Sequence, residues 1–161
     1  MPSHLIREIN EADASWIFEA CQDKEIIYWT TIPRPYTLQH AQGFIRGDVP
    51  EYKIWVIENN DLKPVGIISI HSVDESGNAE IGYWIAPWGR GNGATKDAIA
   101  LVENYAKGDP KIKFVQACIS DLNTISQKVA EQAGLIKAEA ACKTCPAGDE
   151  QSSSTYFRKA I

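Results

Sequence analysis

The sequence predicts a mixed α/β fold, with a central, mostly antiparallel sheet of about seven strands and helices on both of its faces. Three observations support this prediction. Three strand-like runs follow one another between residues 52 and 86, amphipathic helical stretches flank them, and a glycine-rich turn leads from the third run into a helix. The elements therefore follow the order βαα, βββ, α, β, α, ββ.

The first third of the chain predicts one strand, two helices and a structured loop. Residues 4–9 alternate as a strand does, and apolar residues recur at helical spacing after Asn10. Residues 28–37 contain two prolines and three aromatic residues, a composition that predicts a loop instead of a regular element. Thr37 then caps a second helix.

The middle of the chain predicts an antiparallel meander of three strands over residues 52–59, 64–73 and 79–86. A glycine loop follows, and a helix with an apolar stripe is expected from about 92 to 107. These strands and this helix are the part of the sequence in which the hydrophobic periods are clearest.

The last third predicts a strand over residues 111–119, an amphipathic helix and a closing hairpin. We expect Asp121 to cap this helix, and Ile125 and Val129 to face the core. No internal repeat or linker interrupts the sequence, so residues 1–161 are expected to form a single domain.

The four cysteines do not predict a metal site. Cys21 and Cys118 lie in apolar stretches and are expected to be small buried hydrophobic residues. Cys142 and Cys145 form a CxxC pair, but no second pair and no closely spaced histidines accompany it. We therefore expect a reduced thiol pair near solvent, and no bound metal.

Composition narrows the possible partners. No apolar run approaches the roughly 20 residues that cross a bilayer, and the first residues lack the apolar core of a secretory signal. We therefore expect a cytoplasmic protein with no membrane partner, either a monomer or a homodimer. The net charge of −5 argues against nucleic acid as the main partner and leaves cationic substrates open.

Residues 89–93 place three glycines and Arg90 directly before a helix. Such a turn presents free main-chain N–H groups at the positive end of the helix dipole, which suits a phosphate. Side chains at Gly91 and Gly93 are expected to obstruct a phosphate, whereas a simple turn needs only one glycine. The stretch also satisfies the dinucleotide fingerprint, but that motif requires a parallel βαβ unit and a later acidic residue, which residues 111–118 do not provide.

The loop resembles the pyrophosphate-binding motif [RQ]-x-x-G-x-[GA] of the GCN5-related N-acetyltransferase (GNAT) superfamily. Thr95 stands where glycine or alanine is usual. Residues 27–45, 79–93 and 120–135 resemble the RimJ/RimL branch, so the likeness covers nearly the whole chain. It implies a GNAT-type acyl-CoA N-acyltransferase fold and acetyl-CoA as co-substrate. The residues implied in cofactor binding are Trp84, Ile85, Arg90, Gly91, Asn92, Gly93, Ala94, Thr95, Asn123 and Ser126.

The resemblance also implies how these residues divide the work. The fourth and fifth strands of the family separate, the pantetheine arm of the cofactor inserts between them, and a main-chain N–H near Trp84 and Ile85 serves as the oxyanion donor. Glu80, in the sequence AEI, corresponds to the family's general base. Many relatives carry a tyrosine acid where this chain has Ala130, so Ser126 becomes the candidate proton donor to the thiolate.

The acceptor is expected to be a small-molecule amine or a protein N-terminus. Trp29 and Tyr36 occupy the position of the acceptor-binding wall, or else cover the edge of the core, and Tyr83 is a further candidate for substrate contact. An α-amine, with a pKa of about 8, is easier to deprotonate than a lysine, with a pKa of about 10.4. Two alternatives remain: a non-catalytic CoA-binding module, suggested by Thr95 and Ala130, and a nucleotide-binding α/β protein.

Overall fold

Nine strands and five α-helices make up the fold in the computed structural model, which describes residues 3–161. The helices are α1 (Ala14–Ala20), α2 (Lys24–Trp29), α3 (Leu38–Arg46), α4 (Ala94–Lys107) and α5 (Thr124–Gln132). The strands are β1 (His4–Glu8), β2 (Lys53–Asn59), β3 (Pro64–Val73), β4 (Asn78–Ile85), β5 (Phe114–Ser120), β6 (Ile136–Ala141), β7 (Cys145–Ala147), β8 (Glu150–Ser152) and β9 (Ser154–Ala160).

Seven strands form one sheet in the order β1-β2-β3-β4-β5-β9-β6. Every neighbouring pair is antiparallel except β4 and β5, which are parallel. A parallel pair requires a crossover connection, and α4 provides it. Strands β7 and β8 form a separate two-stranded sheet inside the closing hairpin. The predicted fold class and the predicted meander are confirmed.

The sheet separates two apolar cores because side chains alternate between its faces. Ala79 and Ile81 of β4 pack with α4 and α5 on one face. Ile67 of β3 packs with α1 and α3 on the other. Each fully buried aliphatic or aromatic side chain contributes about 1.5–3 kcal/mol through its removal from water. The two cores therefore hold β4, the strand that carries most of the candidate site, firmly from both sides.

The region predicted as a loop over residues 28–37 contains the end of a helix, so this prediction is wrong at its start. Helix α2 extends to Trp29. Asp23 caps it, since its side chain accepts hydrogen bonds from the amides of Glu25 and Ile26. A helix of six residues is too short to give a clear hydrophobic period. The cap predicted at Thr37 is confirmed by the His40 N–H bond to its hydroxyl.

Helix α5 begins later than expected. Asn123, not Asp121, is its cap and accepts the amide hydrogen of Ser126 at 3.1 Å. The Asp121 carboxylate instead accepts hydrogen bonds from the hydroxyls of Ser153 and Thr155. The buried face also differs from the prediction, since Ile125 is 77% exposed whereas Ala130 is fully buried. The inward orientation predicted for Ile125 is therefore wrong. Val129 is half-buried.

The predicted state is also wrong for Cys118 and Cys142, whereas Cys21 is buried and Cys145 is a free thiol, as expected. Cys118 is half-buried and forms a disulfide with Cys142, while Cys145 Sγ lies 3.4 Å from Cys118 Sγ. The reason is that β5 lies next to the segment after β6, a proximity that cysteine spacing alone does not encode. Within residues 3–161, no group of three or more His, Cys, Asp or Glu side chains is placed to hold a metal ion. None of the helices in that range is long and apolar enough to cross a membrane.

Candidate active site

A cleft opens where β4 and β5 stop pairing. Parallel pairing runs from Asn78 with Phe114 to Ile81 with Ala117. Beyond these residues β4 continues to Ile85, and β5 continues to Ser120 in contact with β9. In the part of the chain that the structure describes, residues 82–85 therefore have no β5 partner on this edge. The separation that the resemblance implied is present, and it leaves main-chain groups of β4 available to a ligand.

The glycines next to this cleft have two different structural roles. A Cβ added to Gly89 would lie 2.5 Å from Val65 Cβ, so the chain needs glycine there for packing. Gly91 and Gly93 have φ values of +80° and +76°, in the left-handed region that side chains disfavour. An added Cβ at either position would meet no protein atom within 4 Å. The obstruction of a phosphate by side chains at these positions stays a prediction.

The amides of this loop are available for an anion. No acceptor in residues 3–161 takes a hydrogen bond from the main-chain N–H groups of residues 90–95. Gly93 is the N-cap of α4 and provides no side-chain cap to this helix of 14 residues. Unsatisfied N–H groups and the helix dipole act together here, and the loop is consequently suited to a diphosphate.

Arg90 connects this loop to the start of α2. Its guanidinium contacts the Asp23 carboxylate at the start of α2, with Nη2 and Oδ2 2.5 Å apart. Burial acts to raise the pKa of Asp23, but the hydrogen bonds from Arg90 and from the Ile26 amide outweigh it and lower the pKa. The Arg90 side chain is thus committed to a carboxylate, while the amides beside it remain free.

Two hydroxyl groups meet on the α5 face of the cleft. The Tyr83 hydroxyl lies 2.9 Å from Ser126 Oγ, which brings β4 and α5 together. Burial raises the pKa of Tyr83, so its hydroxyl keeps its proton at neutral pH. Asn123 stands one turn before Ser126 as the helix cap. The Tyr83 side chain therefore contacts α5 through Ser126, on the face of β4 opposite to Trp84.

Glu80 lies on the face of β4 that it shares with Gly82 and Trp84, as the predicted alternation requires. Its side chain is 12% exposed, and Glu80 Oε2 lies 3.3 Å from Lys143 Nζ. Burial, followed by the charge of Glu80, raises the pKa of Tyr156 on β9. The carboxylate is thus part of a polar cluster and is already paired with a cation. The face of β4 that carries Glu80, Gly82 and Trp84 is called the acceptor face below.

The two aromatic residues predicted as an acceptor wall are placed differently. Tyr36 is 8% exposed and belongs to the core between α1, α3 and the sheet, and its burial raises its pKa. Trp29 is half-buried at the end of α2, where its Nε1–H donates to Glu25 at 3.1 Å. Tyr36 therefore fills the core, the alternative left open by the sequence, and only Trp29 remains near the surface.

The structure adds one pair of residues that the sequence did not indicate. His71 Nδ1 lies 2.6 Å from Glu51 Oε2, and the imidazole covers Gly82 on the acceptor face of β4. The three histidines of the chain are scattered and form no motif, so His71 could not be identified by spacing. The signal available was Gly82, a glycine inside a strand, which marks the close approach of another group.

Comparisons with known proteins agree with this geometry. The chain is 25% identical over 140 residues to the uncharacterized N-acetyltransferase YoaA of Bacillus subtilis (strain 168), covering 83% of this chain and 79% of YoaA. The structure superimposes on the ribosomal α-N-protein acetyltransferase RimL in complex with coenzyme A with a TM-score of 0.84 and 16% identity. The match covers 100% of this chain and 96% of RimL. It also superimposes on the spermidine N-acetyltransferase of Vibrio cholerae in complex with CoA and spermine, with a TM-score of 0.81 and 14% identity. This match covers 98% of this chain and 95% of the Vibrio enzyme.

The family model for the Acetyltransferase (GNAT) domain matches residues 4–136. This range includes the separated strands, the glycine loop and the Tyr83–Ser126 pair, so the match spans the candidate site and strands β1 to β5. The chain therefore belongs to the GNAT acetyltransferase family, and its co-substrate is acetyl-CoA.

Proposed function

We propose that this chain moves an acetyl group from acetyl-CoA to a primary amine, by direct attack of the amine in a ternary complex. The observation that carries the proposal is the gap between β4 and β5 beside a loop whose amides are free. The loop would hold the diphosphate, and the unpaired edge of β4 would align the pantetheine arm as a neighbouring strand would. Residues 1–161 act as one acetyltransferase domain in this proposal.

The polar groups supply the three things that acetyl transfer requires. A main-chain N–H near Trp84 and Ile85 donates to the oxygen that becomes negative. Glu80 draws the proton of the amine through water on the acceptor face. Ser126 donates to the departing sulfur, and the Tyr83 hydroxyl, 2.9 Å away, restores that proton. Glu80 and the hydroxyl pair would thus act from opposite faces of β4, and the main-chain N–H from its edge.

The acceptor is a cationic amine that loses its proton at the site, either a protein α-amine or a small-molecule amine. The structural relatives include enzymes named for each class, an α-N-protein acetyltransferase and a spermidine N-acetyltransferase. The net charge of −5 and the carboxylates of Glu80 and Glu51 on the acceptor side favour a cation. The lower pKa of an α-amine makes a protein N-terminus the first acceptor to test.

A second candidate function is a CoA-binding module without turnover. The observation that favours it is the ion pair of Glu80 with Lys143, which already occupies one oxygen of the carboxylate. Thr95 and Ala130, which replace the usual family residues, point in the same direction. The two functions share the acetyl-CoA site and differ only in turnover.

The test is release of free CoA from acetyl-CoA in the presence of an amine panel. The panel contains peptides with free α-amines, the same peptides with blocked N-termini, and spermidine. We expect turnover with at least one free amine and none with the blocked peptides. Glu80→Gln should lower kcat/KM by about tenfold or more while acetyl-CoA binding is unchanged, because a general base contributes about 10²–10⁴-fold and water relays part of it.

Glu75→Gln is the matched control, since Glu75 is exposed in the turn before β4 and should leave kcat/KM unchanged. Tight acetyl-CoA binding with no turnover on any amine would establish the module instead. If acetyl-CoA gives no protection against thermal unfolding, both functions are wrong.

A further inference from the structure

A histidine and a glutamate form a hydrogen-bonded pair on the acceptor face of the sheet. His71 is at the irregular position of β3 between Ile70 and Ser72, where the register with β4 shifts. Its Nδ1 lies 2.6 Å from Oε2 of Glu51, a residue of the segment that enters β2. This bulge directs the imidazole across β4 toward Gly82.

Gly82 is needed for this arrangement. A Cβ added at this position would overlap His71 Nε2 and lie 2.7 Å from its Cε1, so any other residue would displace the imidazole. Gly82 φ is not in the left-handed region, and the requirement for glycine is therefore one of space alone. Because Gly82 has no side chain, the His71 ring fits against the interior of the strand.

The hydrogen bond to Glu51 determines which nitrogen of His71 can act. The Glu51 carboxylate is 10% exposed and accepts from Nδ1–H, which leaves the lone pair on Nε2. Within residues 3–161, no protein group hydrogen-bonds Nε2. The His71 side chain is 43% exposed, so Nε2 is open to an incoming amine and to solvent.

His71 and Glu80 lie at different distances from the expected oxyanion donor on β4. The expected oxyanion donor lies near Trp84, and Gly82 is one strand repeat away, about 7 Å, whereas Glu80 is two repeats away, about 13 Å. A general base must reach its proton directly or through one water. His71 over Gly82 lies closer to that position than Glu80, which needs a longer chain of waters and is already paired with Lys143.

We propose that His71 accepts the proton of the attacking amine at Nε2 while Glu51 holds the ring by Nδ1–H. The inference rests on the proposed function and changes its proton path. The cationic amine first gives one proton to Nε2, which His71 returns to solvent, and the neutral nitrogen then bonds to the acetyl carbon. As the carbon–sulfur bond breaks, Ser126 protonates the sulfur, and the second proton of the nitrogen leaves through Nε2 to solvent. Ser126 regains its proton from solvent through the Tyr83 hydroxyl. Glu80 balances the charge of the arriving amine.

The charged groups around His71 are consistent with this role. Glu51 contacts it from the segment before β2, Glu80 lies on β4 opposite Ser72, and Lys143 pairs with Glu80. Glu51 is thus the carboxylate in direct contact with the ring, while Glu80 is shared with Lys143.

The experiment measures acetylation of the best amine of the panel by His71→Ala, with and without added imidazole. We expect kcat to fall about 100-fold or more, the acetyl-CoA dissociation constant to stay within twofold, and imidazole to restore part of the rate. A histidine that only supports the fold would not respond to free imidazole. The loss should exceed that of Glu80→Gln.

Two further variants keep the test decisive. Gly82→Ala retains His71 and Glu51 but displaces the ring, and it should lower kcat about as strongly as His71→Ala. Glu51→Gln should give a smaller loss of kcat, because a neutral amide can still hold the ring by a hydrogen bond but does not balance a positive charge on it. Glu75→Gln is again the control.

If the wild-type enzyme turns over and His71→Ala keeps its full rate, the inference is wrong while the proposed function stands. If imidazole gives no rescue in a folded His71→Ala protein, His71 has a structural role only, and the inference is equally wrong. If the wild-type enzyme acetylates no amine, the failure lies with the proposed function.

Discussion

The two sides of the cleft between β4 and β5 are built from different parts of the chain. The proposed cofactor side consists of main-chain amides of one continuous stretch, residues 90–95, at the start of α4. The proposed acceptor side consists of side chains from separate elements, among them Glu51, His71 and Glu80. A backbone site depends on local conformation, whereas a side-chain site depends on how distant strands are packed. The two sides should therefore respond differently to substitution.

The largest effect outside the acceptor side is expected at the hydroxyl pair. Ser126→Ala should lower kcat by about 10²-fold, because a positioned acid contributes about 10²–10⁴-fold. Tyr83→Phe should have a smaller effect of the same kind, since it acts through Ser126. Steady-state kinetics of both single variants and the double variant measure this. If the two losses simply multiply in the double variant, the hydroxyls do not act as a unit.

The cofactor side should be sensitive to backbone strain. Gly93→Val forces a β-branched residue into a conformation with φ +76°, which is unfavourable by about 1–2 kcal/mol. We expect acetyl-CoA affinity to fall about tenfold, as titration calorimetry would show, because the amides lose their alignment. Gly47→Val is the matched control: Gly47 has φ +88° and open space at the end of α3, far from residues 90–95 in the sequence. Equal loss of affinity in both variants would contradict the role assigned to the loop.

The ion pair between Arg90 and Asp23 should produce the smallest effect, and one that is lost in acid. The carboxyl of Asp23 has a lowered pKa in the folded state, so its ion pair with Arg90 contributes stability that is complete above the ordinary pKa of about 3.8. That contribution disappears as the pH falls through the lowered value. Melting temperatures of wild type and Asp23→Asn should therefore differ at pH 6, and the difference should shrink progressively as the pH falls below about 3.8.

Asp48→Asn removes an exposed pair with Arg46 and serves as the control, because exposed pairs contribute little at any pH. A difference in melting temperature between wild type and Asp23→Asn that stays constant down to pH 2 would show that the charge of the Asp23 carboxylate does not stabilise the fold.

The sequence predicted the strands better than the short helices for a physical reason. Strand β3 was expected over residues 64–73 and is found there, because a long β-branched run has one stable arrangement in a buried sheet. Helix α2 was missed because six residues carry too few apolar positions to show a period. The start of α5 was misplaced because Asp121 and Asn123 are both good caps, and only contacts with Ser153 and Thr155 decide between them.

The sequence by itself determined the order of the strands and the loop of residues 89–93, since hydrophobic alternation and left-handed glycines act within a few residues. Only the tertiary structure decided that His71 covers Gly82, that Tyr83 meets Ser126, and that Cys118 bonds to Cys142. These contacts join residues distant in the chain. Their free energy is gained only after the sheet has closed the intervening loops and fixed each side chain on one face.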